Sequence, residues 1–171
     1  MSPQYVLIGP PGSGKTTVGR ALASLLGVAR RDTDVDIERR EGKRIAEIFI
    51  DDGEEHFREV ERVAVAEALA DSVGVVSLGG GAILAIETQG LLRDHVAEGG
   101  HVVFLDVSLA AAAPRVGLNA SRPLLVGNPR KQWAELMDAR RPIYEGLATT
   151  TVNTDQLDAE RIAREIVEAT K

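Results

Sequence analysis

The octapeptide Gly9-Pro10-Pro11-Gly12-Ser13-Gly14-Lys15-Thr16 constrains this chain more than any other stretch. It has the spacing G-x-x-x-x-G-K-[ST], a loop whose successive backbone N–H groups curl around phosphate oxygens. Such a loop works between a strand and a helix, because the helix brings its positive N-terminal end to the anion. Both flanks meet that condition. The apolar run Tyr5-Val6-Leu7-Ile8 leads in, and a helix-compatible run over residues 15–26 leads out. In such a loop Lys15 can reach the outer phosphates of a nucleoside triphosphate, and Thr16 offers a hydroxyl to Mg²⁺.

The rest of the chain repeats the same alternation. Strand-like runs fall at residues 5–8, 28–32 (the weakest), 75–78, 102–107 and 150–153. They are short and apolar without clean alternation, as strands covered on both faces are. Helical patterns fall at 15–26, 35–41, 44–50, 54–71, 88–98, 109–115, 130–145 and 158–170. In the fourth of these, Phe57, Val60, Val63, Ala64 and Ala68 make one apolar stripe. The expectation is an α/β fold: right-handed crossovers, a five-stranded parallel sheet and helices on both sides, in three layers. A length of 171 residues suits a single domain. Residues 117–129, rich in Gly, Pro and Asn, read as a mobile lid, with about 112–127 as its extent.

Composition removes several function classes. A net charge of −6 speaks against non-specific binding to nucleic acid or anionic membrane, so a cluster of arginines here is a local device. The absence of cysteine excludes disulfides, thiolate metal sites and a cysteine nucleophile. The strand-like run from Tyr5 leaves no span for a signal peptide, and no apolar run approaches the ~20 residues that cross a bilayer. A cytoplasmic protein is expected.

Beyond the loop, chemistry-bearing residues gather at the predicted strand ends, the edge where open parallel sheets bind ligands. Asp32-Thr33-Asp34 follows the second strand. Its two carboxylates can divide between a metal and a substrate hydroxyl, or can simply cap a helix. Asp36 reads as a solvated first-turn residue. Gly79-Gly80-Gly81 follows the third strand and either bares backbone N–H groups to a ligand or makes a tight turn. Arg58 precedes Glu61 by one helical turn, the spacing of a surface ion pair. Arg115 reads as a helix-end cation, while Arg122, Arg140 and Arg141 are candidate anion ligands. His56, His95 and His101 lack metal-ligand spacing. Trp133, Met137 and Tyr144 recur at helical spacing and read as packing.

Taken in order, these pieces resemble the shikimate kinase family over nearly the whole chain. Gly9 to Thr17 is similar to its phosphate loop and Asp32-Thr33-Asp34 to its acidic motif. The runs Ile45-Ala46-Glu47-Ile48-Phe49, Asp52-Gly53-Glu54 and Phe57-Arg58-Glu59-Val60-Glu61 are similar to its acceptor-binding segment, about 33–61 here. The stretch from Ser77 to Ala82 resembles its glycine triplet, Arg122-Pro123-Leu124-Leu125 its lid, and Arg140-Arg141-Pro142-Ile143-Tyr144 a late R-x-P-x-Y segment.

The resemblance implies phosphoryl transfer from ATP to shikimate in a P-loop kinase fold, by a monomer that uses Mg²⁺. It implies that Gly12, Ser13, Gly14, Lys15, Thr16 and Thr17 contact ATP, with Arg115 against the adenine and Arg122 on the phosphates. Thr16 and Asp32 would hold the metal. Asp34 would bind the attacking hydroxyl as orienter or base, so that Asp34, Lys15 and Arg122 carry the chemistry. Arg58 and Arg140 would hold the shikimate carboxylate, Gly79, Gly80 and Gly81 would border the substrate, and Phe49 and Phe57 would wall its pocket. No acidic residue closes the third strand, where glycines stand; the family departs from other P-loop enzymes similarly, which leaves Asp32 as the metal carboxylate. The nearest alternatives are a gluconate kinase-like enzyme, which shares the loop and lid, and a nucleotide switch without an acceptor. The aspartate, arginine and glycine set separates the chain from both.

Overall fold

The computed structural model describes residues 4–71, 74–117 and 128–171. Arg122 and most of the predicted lid lie outside the described residues. Five parallel strands, β1 (Tyr5–Ile8), β2 (Arg30–Asp32), β3 (Val75–Ser77), β4 (His101–Asp106) and β5 (Thr150–Asn153), form one sheet in the order β2-β3-β1-β4-β5. Tyr5 of the central strand stands level with both Val75 and His101, so the strands that flank it start in register. Among the described residues seven helices accompany the sheet: α1 (Lys15–Leu26), α2 (Thr33–Glu41), α3 (Ile45–Asp71), α4 (Ile86–Ala97), α5 (Leu109–Arg115), α6 (Pro129–Leu147) and α7 (Ala159–Ala169). A 3₁₀ turn, Ala82–Leu84, follows the glycine triplet.

The pleat divides the core as a strand's two-residue period requires. Tyr5 and Leu7 face α1 and α7, packing with Val18, Leu22, Ile162 and Ile166. Val6 and Ile8 face the opposite way, against Val65, Leu92, Met137 and Tyr144 of α3, α4 and α6. Three layers result, as the sequence pattern predicts. A third, smaller cluster of Ile37, Ile48, Phe57 and Ala64 joins α2 to α3.

Several predicted boundaries move, each for a local reason. The second strand begins at Arg30 rather than residue 28, because the Val28 N–H donates to Ala23 O and finishes the end of α1. The helix after it starts at Thr33, two residues early, since the Asp32 carboxylate accepts from Asp34 N at 2.9 Å and caps it. The strand near the chain centre runs from His101 to Asp106 rather than 102–107, and α6 extends two residues beyond 145. The helices predicted at 44–50 and 54–71 abut in α3, whose axis breaks at Gly53 with φ 85° and ψ 165°. That backbone conformation is one a side chain resists, so the break needs a glycine there. Val63 departs from the expected stripe and is exposed, while Phe57, Ala64 and Ala68 are buried.

Candidate active site

The phosphate loop hangs between β1 and α1 and is held from three sides by polar contacts. Within the loop, Ser13 N donates to Pro10 O at 3.1 Å. From the segment after β5, the buried Thr154 hydroxyl donates to Ser13 O at 2.6 Å. From the end of α5, Arg115 donates to Gly12 O at 3.0 Å and to Thr154 O and Asp155 O at 2.7 and 2.8 Å. Arg115 thus bridges the loop and the segment after β5. From α6, the Trp133 indole donates to Pro11 O at 3.0 Å. Lys15 places its ammonium on Gly9 O at 2.7 Å and Pro10 O at 3.1 Å.

A cavity of about 560 Å³ opens along this edge of the sheet. Gly12, Gly14, Lys15, Thr16 and Thr17 line it from the loop, Asp32 and Asp34 from the start of α2, and Gly80 and Arg115 from the far side. Arg58, Arg140, Phe49 and Phe57 stand outside that lining. Arg58 and Arg140 gather instead with Asp34 at the glycine triplet, the hub of a second cluster, and Phe57 lies under the Arg58 guanidinium. A Cβ on Gly79 would stand 2.7 Å from Asp34 Oδ1 and 3.0 Å from Glu61 Oε2. One on Gly80 would meet Arg140 Nη1 at 3.5 Å, and one on Gly81 would sit 2.6 Å from both terminal nitrogens of Arg58. The triplet lets two carboxylates and two guanidiniums approach the backbone from different elements. Phe49 is partly exposed and Phe57 is buried, their ring centroids 4.7 Å apart.

Burial sets the electrostatics. It lowers the Lys15 ammonium to a pKa of about 8, against the pull of the Asp34 and Asp32 charges. It raises the Asp34 carboxyl to about 6, helped by the Asp32 and Glu61 charges and opposed by Lys15. Glu61 is likewise pushed up by burial, while Arg58, bonded to its Oε1 at 2.7 Å, pulls it back. The pair expected from spacing exists, but it is not on the surface: the Glu61 side chain is 4% exposed. Asp36 is no solvated residue either, since its carboxylate accepts from Arg31 Nε at 2.5 Å.

The oxygens of Thr16 and Asp32 suit a hard divalent cation, and Asp34 N engages only one of the two Asp32 carboxylate oxygens. Among the described residues no group of three or more His, Cys, Asp or Glu could hold a metal ion.

Four residues of this architecture had no site role read from the sequence: Trp133 and Thr154, which lie outside the motifs above, and Glu61 and Tyr144, which lie within them. Trp133 and Tyr144 are packed, as their spacing predicts, yet each also donates to site backbone, Tyr144 through its hydroxyl to Gly80 O at 2.5 Å. The general signal was present, because a buried Trp or Tyr must find a polar partner. Trp133 is the chain's only tryptophan. Its emission is expected to shift when a non-hydrolysable ATP analogue is titrated in, as the loop it holds takes up phosphate. An unchanged spectrum at saturation would mean that the Pro11 contact does not sense the nucleotide.

A phosphate loop on this strand order, with a second cationic cluster at its side, defines a P-loop kinase acting on a small acceptor. The model of the family described as shikimate kinase matches residues 11–171. The shikimate kinase of Salinispora arenicola is 56% identical over 166 residues, covering 97% of this chain and 96% of that protein. That of Thermobifida fusca is 55% identical over 168 residues, 96% of this chain and 95% of that protein. Among solved structures, the shikimate kinase of Acinetobacter baumannii in complex with shikimate superposes with a TM-score of 0.87 at 37% identity, covering 98% of this chain and 92% of that one. A gluconokinase from Sinorhizobium meliloti, at 23% identity and a TM-score of 0.61, shares the fold. This chain belongs to the shikimate kinase family.

Proposed function

We propose that this protein transfers the γ-phosphate of ATP to the 3-hydroxyl of shikimate, giving shikimate 3-phosphate and ADP. One observation carries the reading: Asp34, Arg58 and Arg140, from three different helices, converge on one glycine triplet whose middle member lines the same cavity as Lys15. The family and the relatives above support the choice of acceptor.

The roles follow from charge and position. Gly12, Ser13, Gly14 and Thr17 offer loop contacts to the triphosphate, and Lys15 moves from the loop carbonyls to the transferring phosphate. Arg115 lies where a nucleotide base would rest, between the loop and Thr154. Arg122, assigned through its Arg-Pro-Leu-Leu motif, adds positive charge to the phosphates from the lid, about 112–127. Thr16 and Asp32 would hold Mg²⁺, which when bound supplies charge neutralisation between the phosphates. Arg58 and Arg140 take the acceptor carboxylate, because a guanidinium fork matches it bidentately. Phe49 and Phe57 wall the acceptor segment, about 33–61, and Gly79 to Gly81 border the ring. Asp34 holds the attacking hydroxyl in line and accepts its proton. The transferring group passes through a loose transition state, so orientation matters more than basicity. The protein acts as a single-domain monomer in the cytoplasm, with no nucleic-acid or membrane partner. No described helix is long and apolar enough to cross a membrane.

An ADP-release assay with shikimate, gluconate and nucleoside monophosphates as separate acceptors tests the reading, with the phosphorylated product identified by NMR. Turnover confined to shikimate is expected; turnover only with another acceptor, or hydrolysis indifferent to all three, would refute it. Arg58→Ala should raise KM for shikimate about 10- to 100-fold and leave KM for ATP nearly unchanged, since a charge-assisted contact to one substrate is lost. It also strips Glu61 of its counter-ion, so the melting temperature should fall, and Glu61→Gln should recover part of it. An equal rise in both KM values would remove Arg58 from the acceptor site.

A further inference from the structure

Tyr144 lies on the same stripe of α6 as Trp133, Met137 and Arg140. It is fully buried, and its ring stacks on Phe104 with centroids 5.0 Å apart. Packing explains the ring and leaves the hydroxyl unexplained, because phenylalanine would fill the same space with no polar atom to satisfy. The hydroxyl donates to Gly80 O at 2.5 Å, and the Arg140 guanidinium, one helical turn back, lies beside the same glycine, 3.5 Å from where a Gly80 Cβ would stand. The Gly80 carbonyl can only accept, so it needs a donor in this packed place, and the phenol is that donor. Burial raises the Tyr144 pKa, so the phenol keeps its proton and remains a donor at neutral pH.

We propose that Tyr144 is a positioning residue for the acceptor site: its hydroxyl fixes the Gly80 backbone against which the Arg140 guanidinium rests, so that the guanidinium meets the acceptor carboxylate at one angle. The inference rests on the reading of Arg140 as a carboxylate ligand. Without the hydroxyl, Gly80 O loses its donor and the backbone beside Arg140 loses its anchor. The guanidinium must then be ordered by the incoming substrate, which weakens binding by the cost of that ordering.

The test is steady-state kinetics on wild type, Tyr144→Phe, Arg140→Ala and the double variant. Tyr144→Phe is expected to raise KM for shikimate about tenfold, equivalent to about 1.4 kcal/mol, with KM for ATP shifted about twofold or less. On the Arg140→Ala background the same change should add less than about twofold, because a positioning residue has nothing left to position. Equal effects on both substrates, or fully additive losses, would show a hydroxyl that serves folding alone and would overturn the inference. A wild type that phosphorylates no shikimate would instead sink the functional reading, and this inference with it. Should Tyr144→Phe fail to fold, the wild type still decides. The chain has two tyrosines, so ¹³Cζ-tyrosine labelling gives two signals, and Tyr5→Phe identifies the one from Tyr144. That signal should move on addition of shikimate without nucleotide, and a stationary signal would overturn the proposal.

Discussion

Asparagine in place of Asp34 is expected to lower kcat by about 10²- to 10⁴-fold, the range for a lost general base or hydroxyl-orienting group. KM for ATP should barely move, since the proposed role of Asp34 is towards the acceptor. The same substitution should make the substrate-free protein more stable at neutral pH. The folded-state pKa of Asp34, about 6, lies above the 3.8 of an ordinary aspartate. A carboxyl so shifted contributes stability in full below pH 4, and that contribution is lost as pH rises through 6. Above that, the folded protein carries a buried, poorly paired charge that costs about 3 kcal/mol. Asp34→Asn should therefore melt above wild type at pH 7.5, and the gap should close towards pH 4. Thermal melts across that range, with kcat measured alongside, check both halves. A variant of near-normal kcat would take Asp34 out of the chemistry.

The second large effect belongs to Lys15. Lys15→Met keeps most of the stem and removes the ammonium proposed to meet the transferring phosphate, so kcat should drop by about 10²- to 10³-fold, as for a lost oxyanion donor. A coupled signature should accompany it. The Lys15 charge pulls the Asp34 pKa down, so its loss should push that pKa above 6. The acidic limb of the residual rate profile should then move to higher pH in Lys15→Met than in wild type. A limb that stays in place, or a loss confined to ATP affinity, would separate the two residues.

Both predictions join groups that lie far apart in the chain, and that decides how much could be read in advance. The phosphate loop is contiguous, so its strand, turn and helix are all legible from one octapeptide and its flanks. The five strands and three layers were legible too, because each short apolar run sits between amphipathic segments. Their ends were less so. Val28 belongs to the turn after α1, and Asp32 caps α2, because single hydrogen bonds decide such boundaries and periodicity does not record them.

Arg58 marks where local reading stopped. From spacing it is a partner for Glu61, and so it is. Its place against Gly81 is invisible in the chain, because it needs α3 to pass the end of β3 within van der Waals contact. The contacts of Glu61, Trp133, Tyr144 and Thr154 were missed for the same reason: Trp133 and Thr154 act on the phosphate loop 122 and 141 positions away, and Glu61 and Tyr144 reach a triplet that only the folded sheet edge presents. The resemblance to shikimate kinases supplied the roles of Arg58 and Arg140 in place of that geometry.

By itself the sequence determined the elements and the nucleotide loop, since these depend on neighbours a few residues apart. The tertiary structure alone decided how the charges meet. Parallel strands carry Asp34 and the triplet to one edge, α3 and α6 bring the guanidiniums to it, and removal from water lowers Lys15 and raises Asp34. Burial and distance set that balance, and neither is a property of a chain still unfolded.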